Sequence, residues 1–133
     1  MRITLFILIS ATLLACSHSE LHKKLSGSDS LVINFNLEGT DSVIKTVATT
    51  ENNAINKLIG FVDSKAEKPL KCGYDGNLIF YSAGKAIMPV VFKYKGPDCR
   101  LFLYELNGLK KRTMMSQEAA DFLESLEEGR NYY

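Results

Sequence analysis

From about residue 31 onward, polar and apolar residues alternate in short, well-marked runs. In 31–37, Ile33, Phe35 and Leu37 share one side of an extended chain and Asn34 and Asn36 the other, the period-two pattern of a half-buried strand. Glu38-Gly39-Thr40-Asp41 is a turn and 42–49 (SVIKTVAT) a second strand, so short a connection implying an antiparallel hairpin. The period then changes. Ala54, Ile55, Leu58, Ile59 and Val62 recur at helical spacing, with Asn52, Asn53, Asn56, Lys57 and Asp63 mostly opposite. Thr50 stands at the N-cap position with Glu51 in the first turn, where the helix dipole favours an acid. Gly60 inside this helix suggests close packing against a strand, and Pro69 keeps the helix from resuming.

The stretch from Cys72 to Met115 reads as a meander. Asp75-Gly76 and Asn107-Gly108 are hairpin-turn dipeptides, and Ala83-Gly84-Lys85 and Lys95-Gly96-Pro97-Asp98 are further turns. Between them lie strands over 77–82, 86–94, 99–105 and 109–115. Pro89 cannot donate to a ladder, so its strand is expected to be bulged or locally unpaired there. Ser116 then caps a closing helix. Its apolar face is Ala119, Phe122, Leu123 and Leu126, and Gly129 stops it. These elements predict an α+β fold: an antiparallel sheet of five to six strands, in the order β-β-α-β-β-β-β-α, with two helices packed on one face.

The N-terminal residues have a different character. Residues 1–15 read MRITLFILISATLLA, one charge at Arg2 followed by an apolar run interrupted by Thr4, Ser10 and Thr12. A bilayer span needs about 20 apolar residues, so this run fits a secretory signal rather than an anchor helix. Its end, Leu13-Leu14-Ala15-Cys16, resembles the lipobox of bacterial lipoproteins. The resemblance covers residues 1–16 only. It implies cleavage before Cys16, lipidation of that cysteine, and a membrane anchor of two or three acyl chains. Ser17 after the cysteine resembles lipoproteins sent to an outer membrane, facing either the periplasm or the exterior. Residues 16–30, mostly polar, are read as the lipidated cysteine and a flexible tether, and 31–133 as one domain.

With Cys16 carrying lipid, Cys72 and Cys99 form an even pair in an exported domain, which reads as a disulfide. In a flat meander with 70–74 as its first strand, the two would stand about 14 Å apart, against the roughly 7 Å between Cα atoms that a disulfide tolerates. Either the segment 70–74 leaves the sheet and crosses over it or the sheet curls strongly, and the crossing segment is the preferred expectation.

Charge excludes little but is informative in one respect. Sixteen basic side chains face fifteen acidic ones, and without Arg2 the chain is neutral. The one dense basic cluster, Lys110-Lys111-Arg112, fits the solvated part of an edge strand, so no nucleic-acid partner is expected. The catalytic inventory is thin. His18 and His22 both lie in the tether, four apart but with no third metal ligand nearby, and both domain cysteines are paired. Asp75, Asp98 and Glu105 are the carboxylates near turns, the first two explained by those turns. No phosphate loop, G-x-S-x-G, zinc cluster or calcium loop occurs in the sequence.

These observations predict a non-catalytic envelope lipoprotein, without cofactor or metal, whose domain binds an envelope protein partner. The candidate contact is Arg100, Phe102 and Tyr104, which share a face of their strand if Leu101 and Leu103 point inward. The alternative is a binder of small molecules or cell-wall fragments in a pocket lined by Tyr74, Tyr81 and Tyr94, with weak hydrolysis using Asp75 or Asp98. The sequence leaves oligomeric state open.

Overall fold

A computed structural model describes residues 18–130; the signal segment, the lipobox Cys16 and Tyr132-Tyr133 lie outside them. Its elements are α1 (Glu20–Leu25), β1 (Ser30–Asn36), β2 (Val43–Thr49), α2 (Asn52–Val62), β3 (Gly76–Ser82), β4 (Lys85–Lys93), β5 (Leu101–Leu106), β6 (Leu109–Met114) and α3 (Gln117–Glu127). The fold is the expected α+β one. Six antiparallel strands form a single sheet in the order β2-β1-β3-β4-β5-β6.

Period-two alternation places the core on one face of this sheet. Leu31, Ile33 and Phe35 of β1, Leu78 and Phe80 of β3, Met88, Val90 and Phe92 of β4, and Phe102 and Tyr104 of β5 are buried in one cluster. The same cluster contains Ile55, Leu58, Ile59 and Val62 of α2 and Ala119, Phe122, Leu123 and Leu126 of α3, so the helices cover that face. Phe35 meets Phe92 and Tyr94 edge-on, at ring-centroid distances of 5.8 and 6.2 Å.

Several turns and caps match their sequence signals. Ala83-Gly84 and Asn107-Gly108 connect their hairpins with positive φ at both residues, 50° and 77°, then 53° and 78°. Ser116 accepts a hydrogen bond from the Ala119 N–H at 3.1 Å, and Gly129 ends α3 with φ of 79°. α2 begins one residue later than expected. Its N-cap is Glu51, whose side chain makes no capping bond.

Three expectations are corrected. Residues 20–25, assigned to a flexible tether, form a helix, because Leu21 and Leu25 are four apart on one face and are buried in the core at 2% and 0% exposure. Ser19 caps it, accepting from the His22 N–H at 3.0 Å. Asp75-Gly76 is no hairpin turn: the Asp75 N–H donates to the Phe92 carbonyl and its own carbonyl accepts from the Asn36 N–H, both at 2.8 Å, so these residues open β3. Gly60 is exposed, with nothing near the place a Cβ would occupy, so no strand packs against it. Pro89, expected to be bulged or locally unpaired, is paired opposite Ile79 of β3 and unpaired on the β5 side, while the β3–β4 irregularity lies further along, at Phe80/Tyr81. The β4–β5 ladder covers only Val91, Phe92 and Lys93 of β4, so Pro89 needs no donor on that side.

The crossing segment takes the expected course. α2 carries the chain from the β2 edge to the β6 edge, where Ala66 bridges to Thr113. There Thr113 Oγ1 donates to the Val62 carbonyl at 2.7 Å. Residues 67–75 return to the middle of the sheet at β3. Cys72 and Cys99 are disulfide-bonded on this return, with Cα atoms 6.2 Å apart.

Candidate functional site

Among the described residues the sheet face away from the helices is uncovered, and it is more apolar than a solvated face requires. Register aligns Val32 of β1 with Ile79 of β3, Ile79 with Pro89 of β4, and Val91 of β4 with Leu103 of β5. All five are half-buried or exposed, so an apolar strip crosses four strands. Pro89, Val91 and Leu103 line a shallow depression of about 160 Å³, bounded by Tyr104, Glu105 and Lys110.

Beside the strip runs a polar ladder. Thr46 Oγ1 donates to Asn34 Oδ1 at 2.8 Å, and Asn34 Nδ2 donates to Asn77 Oδ1 at 2.9 Å. These bonds orient the two amides across β2, β1 and β3. An apolar floor with a fixed row of hydroxyl and amide groups at its margin suits non-covalent recognition of an extended or flat partner.

The expected Arg100–Phe102–Tyr104 strip does not form on this face. β5 has the opposite phase: Phe102 and Tyr104 are buried at 0% and 9% exposure, and Leu103 lies on the uncovered side. The physical reason is Phe102, which pairs opposite Phe92 and fills the core. Burial, and then the nearby Asp63 carboxylate, push the Tyr104 hydroxyl pKa upward. Arg100 is half-buried and occupied. Its Nε donates to the Tyr94 carbonyl at 3.0 Å and its Nη1 to Gln117 Oε1 at 2.5 Å, tying the β4–β5 loop to α3.

The carboxylates divide clearly. Asp75 is 5% exposed and accepts four bonds: one from Lys93 Nζ on each oxygen at 3.2 Å, and from the Tyr94 and Lys95 N–H groups at 2.8 Å. Those bonds, three on Oδ2 and one on Oδ1, fold the chain after β4 back onto the start of β3, a structural role for this carboxylate. Asp98 and Glu105 are exposed. Nearby, Glu127 contacts Lys95 Nζ at 3.1 Å while its backbone carbonyl accepts from Lys45 Nζ at 2.5 Å. Burial raises the Glu127 pKa, as do the Asp75 carboxylate and, more weakly, Glu128, with Lys45 opposing them.

The three tyrosines of the alternative reading lie apart. Tyr94 is buried among Phe35 and Phe92, Tyr74 is exposed near Gly39 and Thr40, and Tyr81 is half-buried opposite Ser30 and Ala86. Two open depressions flank α3. One of about 440 Å³ is lined by Lys57, Glu118, Asp121 and Glu124, and one of about 270 Å³ by Lys95, Gly96, Arg100 and Gln117. His18 and His22 stack at 4.3 Å, and among the described residues no three His, Cys, Asp or Glu converge on a metal position. Among the described residues no helix is long and apolar enough to cross a membrane. Compared with protein families, curated proteins and solved structures, the chain matches none.

Proposed function

We propose that this chain is a lipid-anchored envelope lipoprotein whose domain is a non-catalytic binding module, receiving a protein partner on the uncovered face of the sheet. The lipobox ending at Cys16 supports the anchor, Ser17 supports an outer-membrane destination, and the Cys72–Cys99 disulfide fits an oxidising compartment. One observation carries the binding role: the apolar strip Val32–Ile79–Pro89–Val91–Leu103, aligned across four strands and left bare of helices among the described residues. A one-sided antiparallel sheet ordinarily turns polar residues to water, and a contiguous apolar patch there marks a contact surface.

The test is cross-linking of the full-length chain in its own envelope, with Val91→Glu as the face variant and Lys57→Glu, on the helix layer, as control. A partner lost with Val91→Glu and retained with Lys57→Glu supports this assignment. A partner indifferent to Val91→Glu removes the face from consideration.

A second reading draws on the polar depression beside Arg100 and Gln117, whose size suits a small ligand such as a cell-wall fragment. Titration with soluble cell-wall fragments, read by chemical-shift changes confined to Arg100, Gln117 and their neighbours, would favour it over the sheet face.

A further inference from the structure

Very little chain separates Cys16 from the folded core. α1 is held by Leu21 and Leu25 at 2% and 0% exposure, and its start is fastened twice more. Ser19 Oγ donates to Asp63 Oδ2 at 2.7 Å, and Asn107 Nδ2 donates to Glu20 Oε2 at 3.2 Å. From Cys16 to Ser19 the chain advances three residues, which reach at most about 11 Å when fully extended. The headgroup layer that acyl chains on Cys16 must cross is itself about 5–8 Å thick.

We infer that the corner built by the start of α1 and the β5–β6 turn is seated on the phospholipid headgroup surface, with no spacer between bilayer and domain. This rests on the lipid-anchor reading above. The corner has the chemistry for such a seat. Leu109 projects at 61% exposure just past the Asn107-Gly108 tip, and Lys23 and Lys24 of α1 and Lys110 and Lys111 of β6 are all exposed. The acids there, Glu20, Asp63 and Glu105, are outnumbered, and the first two are already engaged by Asn107 and Ser19. An exposed leucine enters the headgroup boundary while lysine ammoniums reach lipid phosphates. Register places the β1–β2 turn and the Cys72–Cys99 bridge at the opposite end of the sheet, so they point away from the bilayer. The strands then rise from the membrane, and the uncovered face is presented sideways to a neighbour on the same surface.

The chain contains no tryptophan, so a single introduced indole is a unique reporter. The full-length lipidated chain, carrying either Leu109→Trp or Thr40→Trp, is reconstituted into vesicles of phosphatidylglycerol and phosphatidylcholine containing brominated phospholipid. Seating on this corner is expected to remove most of the emission of the Leu109→Trp reporter and shift it to the blue, leaving Thr40→Trp, in the β1–β2 turn, unquenched. Lys24→Trp, on the exposed side of α1, should follow Leu109→Trp. Equal emission from all three reporters in protein that floats with the vesicles, or quenching of Thr40→Trp alone, would overturn the seating while leaving the anchor intact. An N-terminal peptide without acyl chains in the mass spectrum, and protein that does not float, would instead overturn the anchor and the seating with it.

Discussion

Gly60 and Gly76 show how far the effect of one missing side chain depends on its surroundings. Gly60 lies in the exposed interior of α2 with open space around it, so Gly60→Ala should stabilise the fold by about 0.5–1 kcal/mol through helix propensity. At Gly76 a Cβ would overlap the Asn34 carbonyl and the Phe92 ring, so Gly76→Ala should destabilise by about 1–3 kcal/mol or more. Urea denaturation of the two variants should give midpoints displaced in opposite directions. Glu127 gives a pH signature. Its carboxyl holds a proton more readily when folded than when unfolded, so its contribution to stability is fully present below the ordinary glutamate range. That contribution is lost as pH rises through the elevated value. Glu127→Gln should therefore flatten the stability–pH curve above the ordinary glutamate range. Denaturation midpoints falling equally steeply with pH in both proteins would contradict this. At this scale the sequence did contain one clue to the site. β5 reads LFLYEL, apolar at every position but one, so hydrophobicity alone cannot set its phase. Glu105 can: placing it in water puts Leu103 on the same face and turns Phe102 and Tyr104 inward, as observed.

Among the elements, strands and turns were legible wherever a positive φ or a cap demanded a particular residue, as at Asn107-Gly108, Ser116 and Gly129. α1 was not. Six residues give fewer than two turns, too short a window for periodicity to show, and its two leucines stand among charged and polar neighbours. What makes it a helix is tertiary: a core site for each leucine and an N-cap fastened to Asp63. Leu21→Ala and Leu25→Ala should each destabilise the whole domain by about 2–5 kcal/mol, measurable as a lowered melting temperature. Residues in a flexible tether would give no shift. The uncovered face was illegible for a related reason, since it exists only through register. Val32, Ile79, Pro89, Val91 and Leu103 are unremarkable singly, and become a strip when four strands align them.

At the scale of the whole molecule, the disulfide spans a sequence separation of 27 and ties the crossing segment to the β4–β5 loop. In the chain-entropy account such a closure contributes about 3.5 kcal/mol, a large share of the roughly 5–15 kcal/mol by which a domain is stable. The Cys72→Ser/Cys99→Ser double variant should keep the far-ultraviolet spectrum of the native sheet at low temperature but unfold at markedly lower urea concentration. An unchanged midpoint would mean that the return segment is held as well by the four bonds to Asp75.

The seam between β1 and β3 has a kinetic meaning. β1–β2, β3–β4 and β5–β6 close through short turns, whereas the ladder from Ser30–Tyr81 to Phe35–Gly76 joins strands separated by β2, α2 and the crossing segment. Closing that ladder ends the largest loop in the sheet, so its entropy is recovered last. Folding should thus begin in the meander and finish when the N-terminal hairpin docks. In stopped-flow experiments Ile33→Val should mainly accelerate unfolding, while Val90→Ala, in the meander, should mainly slow folding. Transient opening of the domain would then expose β1 and β3 first, splitting the molecule into the N-terminal hairpin and a disulfide-stapled remainder.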